Sequence, residues 1–200
     1  GSGIFTNSGA GSTDILNFGN VSGNNVGISA RTTGTGLLNI VVGTSATVTG
    51  ITSHGIVAIS TLGAEKVTTL SGATINSNAV GILAQNQGTS VPQGVLAGSN
   101  SSISISSSFG TINAGTHGIS AGYLTNTTTP ATIPDPPNTS VYGDVIIDNN
   151  ATITARAGVG ITAYNYGVGN IAVSNAGTIT ATAAGTTIPG TTQTQYGISA

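Results

Sequence analysis

Gly118-Ile119-Ser120-Ala121 is one of six copies of Gly-Ile-x-Ala; the others are Gly27-Ile28-Ser29-Ala30, Gly55-Ile56-Val57-Ala58, Gly81-Ile82-Leu83-Ala84, Gly160-Ile161-Thr162-Ala163 and Gly197-Ile198-Ser199-Ala200. Six copies in one chain make a repeat protein. Ahead of five of them stands a second unit, at Thr47-Val48-Thr49, Thr74-Ile75-Asn76, Thr111-Ile112-Asn113, Thr152-Ile153-Thr154 and Thr178-Ile179-Thr180. Ahead of that is a third apolar alternation, at Leu38-Asn39-Ile40, Val67-Thr68-Thr69, Ile103-Ser104-Ile105, Val145-Ile146-Ile147 and Ile171-Ala172-Val173.

Spacing then decides the architecture. The third unit leads the Thr unit by eight residues in Ile40 to Val48, Val67 to Ile75, Val145 to Ile153 and Ile171 to Ile179. The Thr unit leads Gly-Ile-x-Ala by seven or eight, as in Val21 to Ile28, Val48 to Ile56 and Ile75 to Ile82. The return arc is free: ten residues from Ile161 to Ile171, eleven from Ile56 to Val67, twenty-one from Ile82 to Ile103 and twenty-six from Ile119 to Val145. Short β-branched alternations separated by Gly, Asn and Ser are strands, not helices. Two constant arcs and one variable arc per repeat describe a solenoid that gathers insertions at one corner. The expected fold is all-β, a right-handed parallel β-helix of about six coils with three short strands each, right-handed because parallel crossovers take that hand. At about 4.8 Å per coil the rod is roughly 30 Å long.

The whole of 1–200 reads as one such segment, with inserted loops at 85–100, 122–143 and 185–195. The second loop holds four of the six prolines, which cannot sit in a central strand. Residues 1–30 are the least regular coil, with Ile15 and Phe18 taken as inward. Gly1-Ser2-Gly3 reads as a cloning remnant, and the chain as a slice of a longer protein.

Composition excludes several functions. Charged residues make up 4% of the chain, against roughly 25% in an average soluble protein. Three basic residues, Arg31, Lys66 and Arg156, and a net charge of -2 cannot track a phosphate backbone, so no nucleic-acid partner is expected. Cysteine is absent, which removes disulfides and thiolate metal sites. No apolar run is long enough for a transmembrane helix.

The grammar of apolar strand, Gly-Thr-Ile-x-Ala and Gly-Ile-x-Ala resembles the passenger domains of bacterial type V autotransporters and related filamentous adhesins. Its best copies here are Gly110-Thr111-Ile112-Asn113-Ala114 and Gly177-Thr178-Ile179-Thr180-Ala181. The resemblance implies a Gram-negative source and display at the cell surface, on the extracellular face of the outer membrane, or secretion. The membrane link would be a C-terminal β-barrel that these residues do not include. It also implies adhesin, cytotoxin or protease activity, among which a fold alone does not choose.

A carbohydrate-active β-helix enzyme is the alternative, and it needs two carboxyls within about 5–9.5 Å. Asp144 and Asp148 share a strand face, but four residues of strand put them about 13 Å apart. Asp14, Glu65 and Asp135 lie elsewhere and read as surface and turn residues. His54 and His117 share a column two coils apart, about 9.6 Å between backbones, too far for joint zinc ligation at about 2 Å. No catalytic residue, metal or cofactor is expected. An outward ladder of Thr47, Thr74, Thr111, Thr152 and Thr178 resembles the face of β-solenoid ice-binding proteins, a third reading. The first reading is a non-enzymatic adhesive stalk. Its contacts are the loop residues Val91, Leu96, Tyr123, Leu124, Ile133 and Tyr142. Its partners are a host cell-surface or matrix protein or glycan, or a second copy on a neighbouring cell.

Overall fold

Alternating side chains need two different environments, and the repeat supplies them by winding the chain so that one face of every strand closes on a shared interior. In the computed structural model, which describes residues 1–88, 102–124, 139–182 and 198–200, the described residues form nineteen strands and no helix. They make three parallel sheets. Sheet A carries the Gly-Ile-x-Ala copies: β1 (Ile4–Ser8), β4 (Ile28–Thr32), β7 (Ile56–Ser60), β10 (Ile82–Asn86), β13 (Ile119–Tyr123), β16 (Ile161–Asn165) and β19 (Ile198–Ser199). Sheet B holds β2 (Thr13–Asn17), β5 (Leu38–Val42), β8 (Glu65–Thr69), β11 (Ile103–Ser107), β14 (Val145–Asn149) and β17 (Ile171–Asn175). Sheet C holds β3 (Val21–Gly23), β6 (Thr47–Gly50), β9 (Thr74–Ser77), β12 (Thr111–Ala114), β15 (Thr152–Ala155) and β18 (Ile179–Ala181). Each strand pairs with the strand three places on, so the molecule is a parallel β-helix of about six coils.

Like stacks on like. Ile28, Ile56, Ile82, Ile119 and Ile161 pair in register and are all fully buried. Beneath them run Ala30, Ala58, Ala84, Ala121 and Ala163, small enough to let sheet A approach the other two. Val48, Ile75, Ile112 and Ile153 line the interior from sheet C, and Ile40, Val67, Ile105 and Ile147 from sheet B. The repeat glycine has a steric cause. A Cβ on Gly81 would lie 2.4 Å from Ile112 Cγ2 and 2.5 Å from the Gly118 carbonyl oxygen, and Gly27, Gly55 and Gly118 are equally confined.

Four sequence expectations need correction. Gly1-Ser2-Gly3 does not lie outside the rod: Gly3-Ile4-Phe5-Thr6 stacks as a degenerate copy of the repeat. Ile4 pairs with Ile28, and a Cβ on Gly3 would lie 2.5 Å from Val21 Cγ1. Phe18 points outward at 68% exposure, while Ile15 is inward as expected. Residues 85–86 and 122–123 are not loop but the ends of β10 and β13.

The fourth concerns the arc from sheet B to sheet C, which is not constant. Glu65 pairs with Leu38 and Ile103, and Val67 with Ile40 and Ile105. Counting from register-equivalent residues, the arc is eight in Ile40 to Val48 and Val67 to Ile75, seven in Ile105 to Ile112, and six in Ile15 to Val21, Ile147 to Ile153 and Val173 to Ile179. A slip of two residues keeps the same face inward, so alternation alone does not reveal it. The short arcs share a device. Asn17, Asn149 and Asn175 close their strands and turn the side-chain amide to donate from Nδ2 to the carbonyl two residues on, at 2.8 Å to Gly19, 3.0 Å to Ala151 and 2.8 Å to Gly177. Where Val42 or Thr69 takes that place the corner is longer, and Ser45 and Gly72 adopt left-handed φ values of 59° and 75° to make it.

Candidate functional site

Among the described residues three places combine polarity with shape: the outer face of sheet C, the outer face of sheet B, and the interior of the corner between sheets A and B.

On sheet C the expected threonine ladder forms. Thr47 pairs with Thr74, Thr74 with Thr111 and Thr111 with Thr152, and Thr178 accepts from the Ile153 N–H at 2.8 Å just before β18. The neighbouring column is an amide ladder, with Asn113 Nδ2 donating to Asn76 Oδ1 at 2.9 Å. Asn76 and Asn113, with Asn78, Ile51 and the exposed Arg156, line a shallow groove of about 270 Å³. A larger groove of about 510 Å³ lies on the sheet B side, lined by Ser12, Leu37, Lys66, Ser104 and Ile146 among others. It mixes apolar and hydroxyl groups around one lysine.

The acidic residues are dispersed. Asp144 accepts from the Asn170 N–H at 2.7 Å, and Asp14 accepts from Asn39 Nδ2 at 3.0 Å. Asp148 pairs with Ser106 and Ser174. His54 sits 2.6 Å from Ser53 Oγ through Nδ1, and its burial lowers its pKa. His117 Nδ1 accepts from the Val159 N–H at 3.1 Å. No group of three potential metal ligands occurs among the described residues. Asp135 lies outside them.

The predicted loop contacts separate. Val91, Leu96 and Ile133 lie outside the described residues. Tyr123 is corrected outright, because it is the inward terminal residue of β13 with 0% exposure and cannot meet a partner. Leu124 is half-buried, and its N–H donates to the Asn86 carbonyl at 3.0 Å, so the arcs after β10 and β13 start one above the other. Tyr142 is half-buried and bridges to Val168. Tyr164, by contrast, lies on the outer face of sheet A, as does the exposed Phe5 of β1. Tyr164 covers Gly122, where a Cβ would lie 2.4 Å from the ring, and its Oη accepts from Gln85 Nε2 at 2.7 Å. Burial pushes its phenol pKa up.

The interior corner was not foreseen. Glu65 opens β8 in the column of Leu38 and Ile103, and is 1% exposed. Its Oε1 accepts from the Ser60 N–H at 2.8 Å and from Ser60 Oγ at 2.7 Å. Asn86 Nδ2 donates to Ser60 Oγ at 2.9 Å and to the Gly63 carbonyl at 3.2 Å. Glu65 Oε2 and Tyr123 Oη are both buried without a hydrogen-bond partner. Burial pushes the carboxyl up to about 8, against a partial opposing pull from the Ser60 hydrogen bonds. The sequence signal was a charged residue in the column of Leu38, Ile103, Val145 and Ile171, visible once Glu65 rather than Val67 is aligned with Leu38.

Together these features define a parallel β-solenoid with a dispersed polar surface. No family model matches the chain, and no significant match was found among curated proteins or solved structures.

Proposed function

We propose that the chain is a segment of a surface-exposed or secreted bacterial passenger domain, serving as a non-enzymatic stalk and adhesive surface. The observation that carries this reading is the in-register stack itself, in which like residues repeat from coil to coil. Such a stack supplies reach and a long lateral surface, which is what repeat rods offer a partner. The adhesive contacts belong to the arcs that leave sheet A after β10 and β13. The partner is a host surface or matrix protein, a glycan, or a second copy on a neighbouring cell.

The test is adhesion of the chain to a panel of matrix proteins, glycans and cells, beside a variant with residues 125–138 replaced by an Asn-Gly turn. That replacement keeps β13 and the buried Val141. Binding by the parent and not by the shortened chain, with circular dichroism unchanged, supports the reading. Binding by neither sinks it for these residues.

Ice binding is favoured by one observation, the register of Thr47, Thr74, Thr111 and Thr152. Thermal hysteresis in the parent chain, lost on Thr111→Leu, would support it, and its absence would remove it.

A further inference from the structure

Of the four carboxyl- or amine-bearing residues in the strands of sheet B, Asp14, Lys66 and Asp148 are exposed, but Glu65 faces the core. A carboxylate is a poor occupant of an apolar column unless donors surround it, since moving an isolated charge out of water is far costlier than moving a neutral acid. The Gln85 backbone N–H lies near enough to favour the anion weakly, but the two close hydrogen bonds to Glu65 both come from Ser60 and go to Oε1. Its Oε2 has none. As a neutral acid protonated on Oε1, Glu65 donates to Ser60 Oγ at 2.7 Å and frees the single Ser60 hydroxyl proton for the Gly63 carbonyl at 2.9 Å; as an anion it leaves a buried charge.

The hydrogen bonds tie three strand ends. Ser60 ends β7, Glu65 begins β8 and Asn86 ends β10. Ser60 Oγ also stands 2.9 Å from the Gly63 carbonyl, so the turn between β7 and β8 is held from inside. The chain from β10 towards β11 begins at this corner, and the Gln87 N–H donates to the Ser60 carbonyl at 2.8 Å.

We propose that Glu65 is a proton-operated latch on this corner: the neutral acid holds the ends of β7, β8 and β10 together, and loss of the proton releases them. The surroundings leave the switch to Glu65 alone. Leu38 and Ile103 stack on it from β5 and β11 and are apolar. From β13 the facing group is Tyr123, while Tyr164 of β16 lies on the outer face of sheet A; burial pushes both phenols above their ordinary range, so both stay neutral while Glu65 titrates. Asp144, ahead of β14, acts on the same interior with a like charge, as its effect on Tyr123 shows. Lys66 is exposed and alternates to the outer face, so it does not neutralise its neighbour. The carboxyl, at about 8, places the transition in mildly alkaline water.

The experiment is amide exchange of the whole chain from pH 6 to pH 9, corrected for the intrinsic pH dependence of exchange. The reporters are the Ser60 and Gln87 amides, with the remote Ile153 amide as reference. Protection at Ser60 and Gln87 falls relative to Ile153 by up to about tenfold for each pH unit from pH 6 towards the carboxyl's folded pKa of about 8 and levels off above it, and Glu65→Gln removes the fall. Should that variant not fold, Glu65→Leu, which matches Leu38 in the column, takes its place with Gln87 as reporter. Parallel behaviour of the three amides in the unsubstituted chain overturns the latch, as does a fall that survives in either variant.

Discussion

Gly81 shows how little room a single position has. Its missing Cβ would overlap both a side chain and a backbone carbonyl of the next coil, and backbone cannot step aside as a flexible side chain can. Gly81→Ala therefore lowers stability by about 1–3 kcal/mol or more, read as a drop in the urea midpoint. Glu65 carries a pH dependence. Its folded pKa, about 8, lies above the ordinary 4.5, so the folded state binds the proton more tightly than the unfolded one. Stability is then greatest below the unfolded value and declines as pH rises towards the folded value. Glu65→Gln should flatten that decline and be the more stable protein at pH 9 by a few kcal/mol. Urea titrations of both proteins at pH 5 and pH 9 measure it, and an equal pH response in the two would contradict it. Neither residue announced its role equally. The glycines were legible as part of the repeat, whereas Glu65 was hidden because glutamate is ordinarily a surface residue.

Between residue and molecule stands the corner. Asparagine at the end of a sheet B strand shortens the turn to sheet C by turning its amide onto the carbonyl two residues ahead. Asn149 also donates to Asn175 Oδ1 at 2.8 Å in the next coil, so the same side chain couples neighbouring turns. Asn149→Ala leaves the Ala151 carbonyl and Asn175 without this donor and should destabilise by about 1–3 kcal/mol. Thermal unfolding tests it, with Asn170→Ala, at an exposed position, as the control that changes little. The strands themselves were legible from period-two alternation. Their register was not, since Val67 and Glu65 present the same face and only pairing with β5 and β11 distinguishes them.

For the whole molecule, the consequence of nearest-neighbour stacking is modularity. Removing residues 28–55 joins Gly27 to Ile56 and keeps every column in phase, because Ile28 and Ile56 are register equivalents. The shortened chain should still fold cooperatively with the same far-ultraviolet spectrum per residue, at a lower melting temperature. Loss of the β spectrum would show that the coils are not interchangeable.

What the sequence by itself determined is the coil: three alternating strands, the repeat glycine and the inward isoleucine and alanine columns, because these follow from local periodicity repeated at near-constant intervals. It also placed the threonine column in one line. Tertiary structure alone decided which residues end a strand facing inward, and so made Tyr123, Glu65 and Asn86 interior while turning Phe18 out. The physical reason is that inside and outside are properties of closure. A strand's alternation says which residues share a face, but only the neighbouring coils and corners decide where that face begins, how far it extends and what it meets.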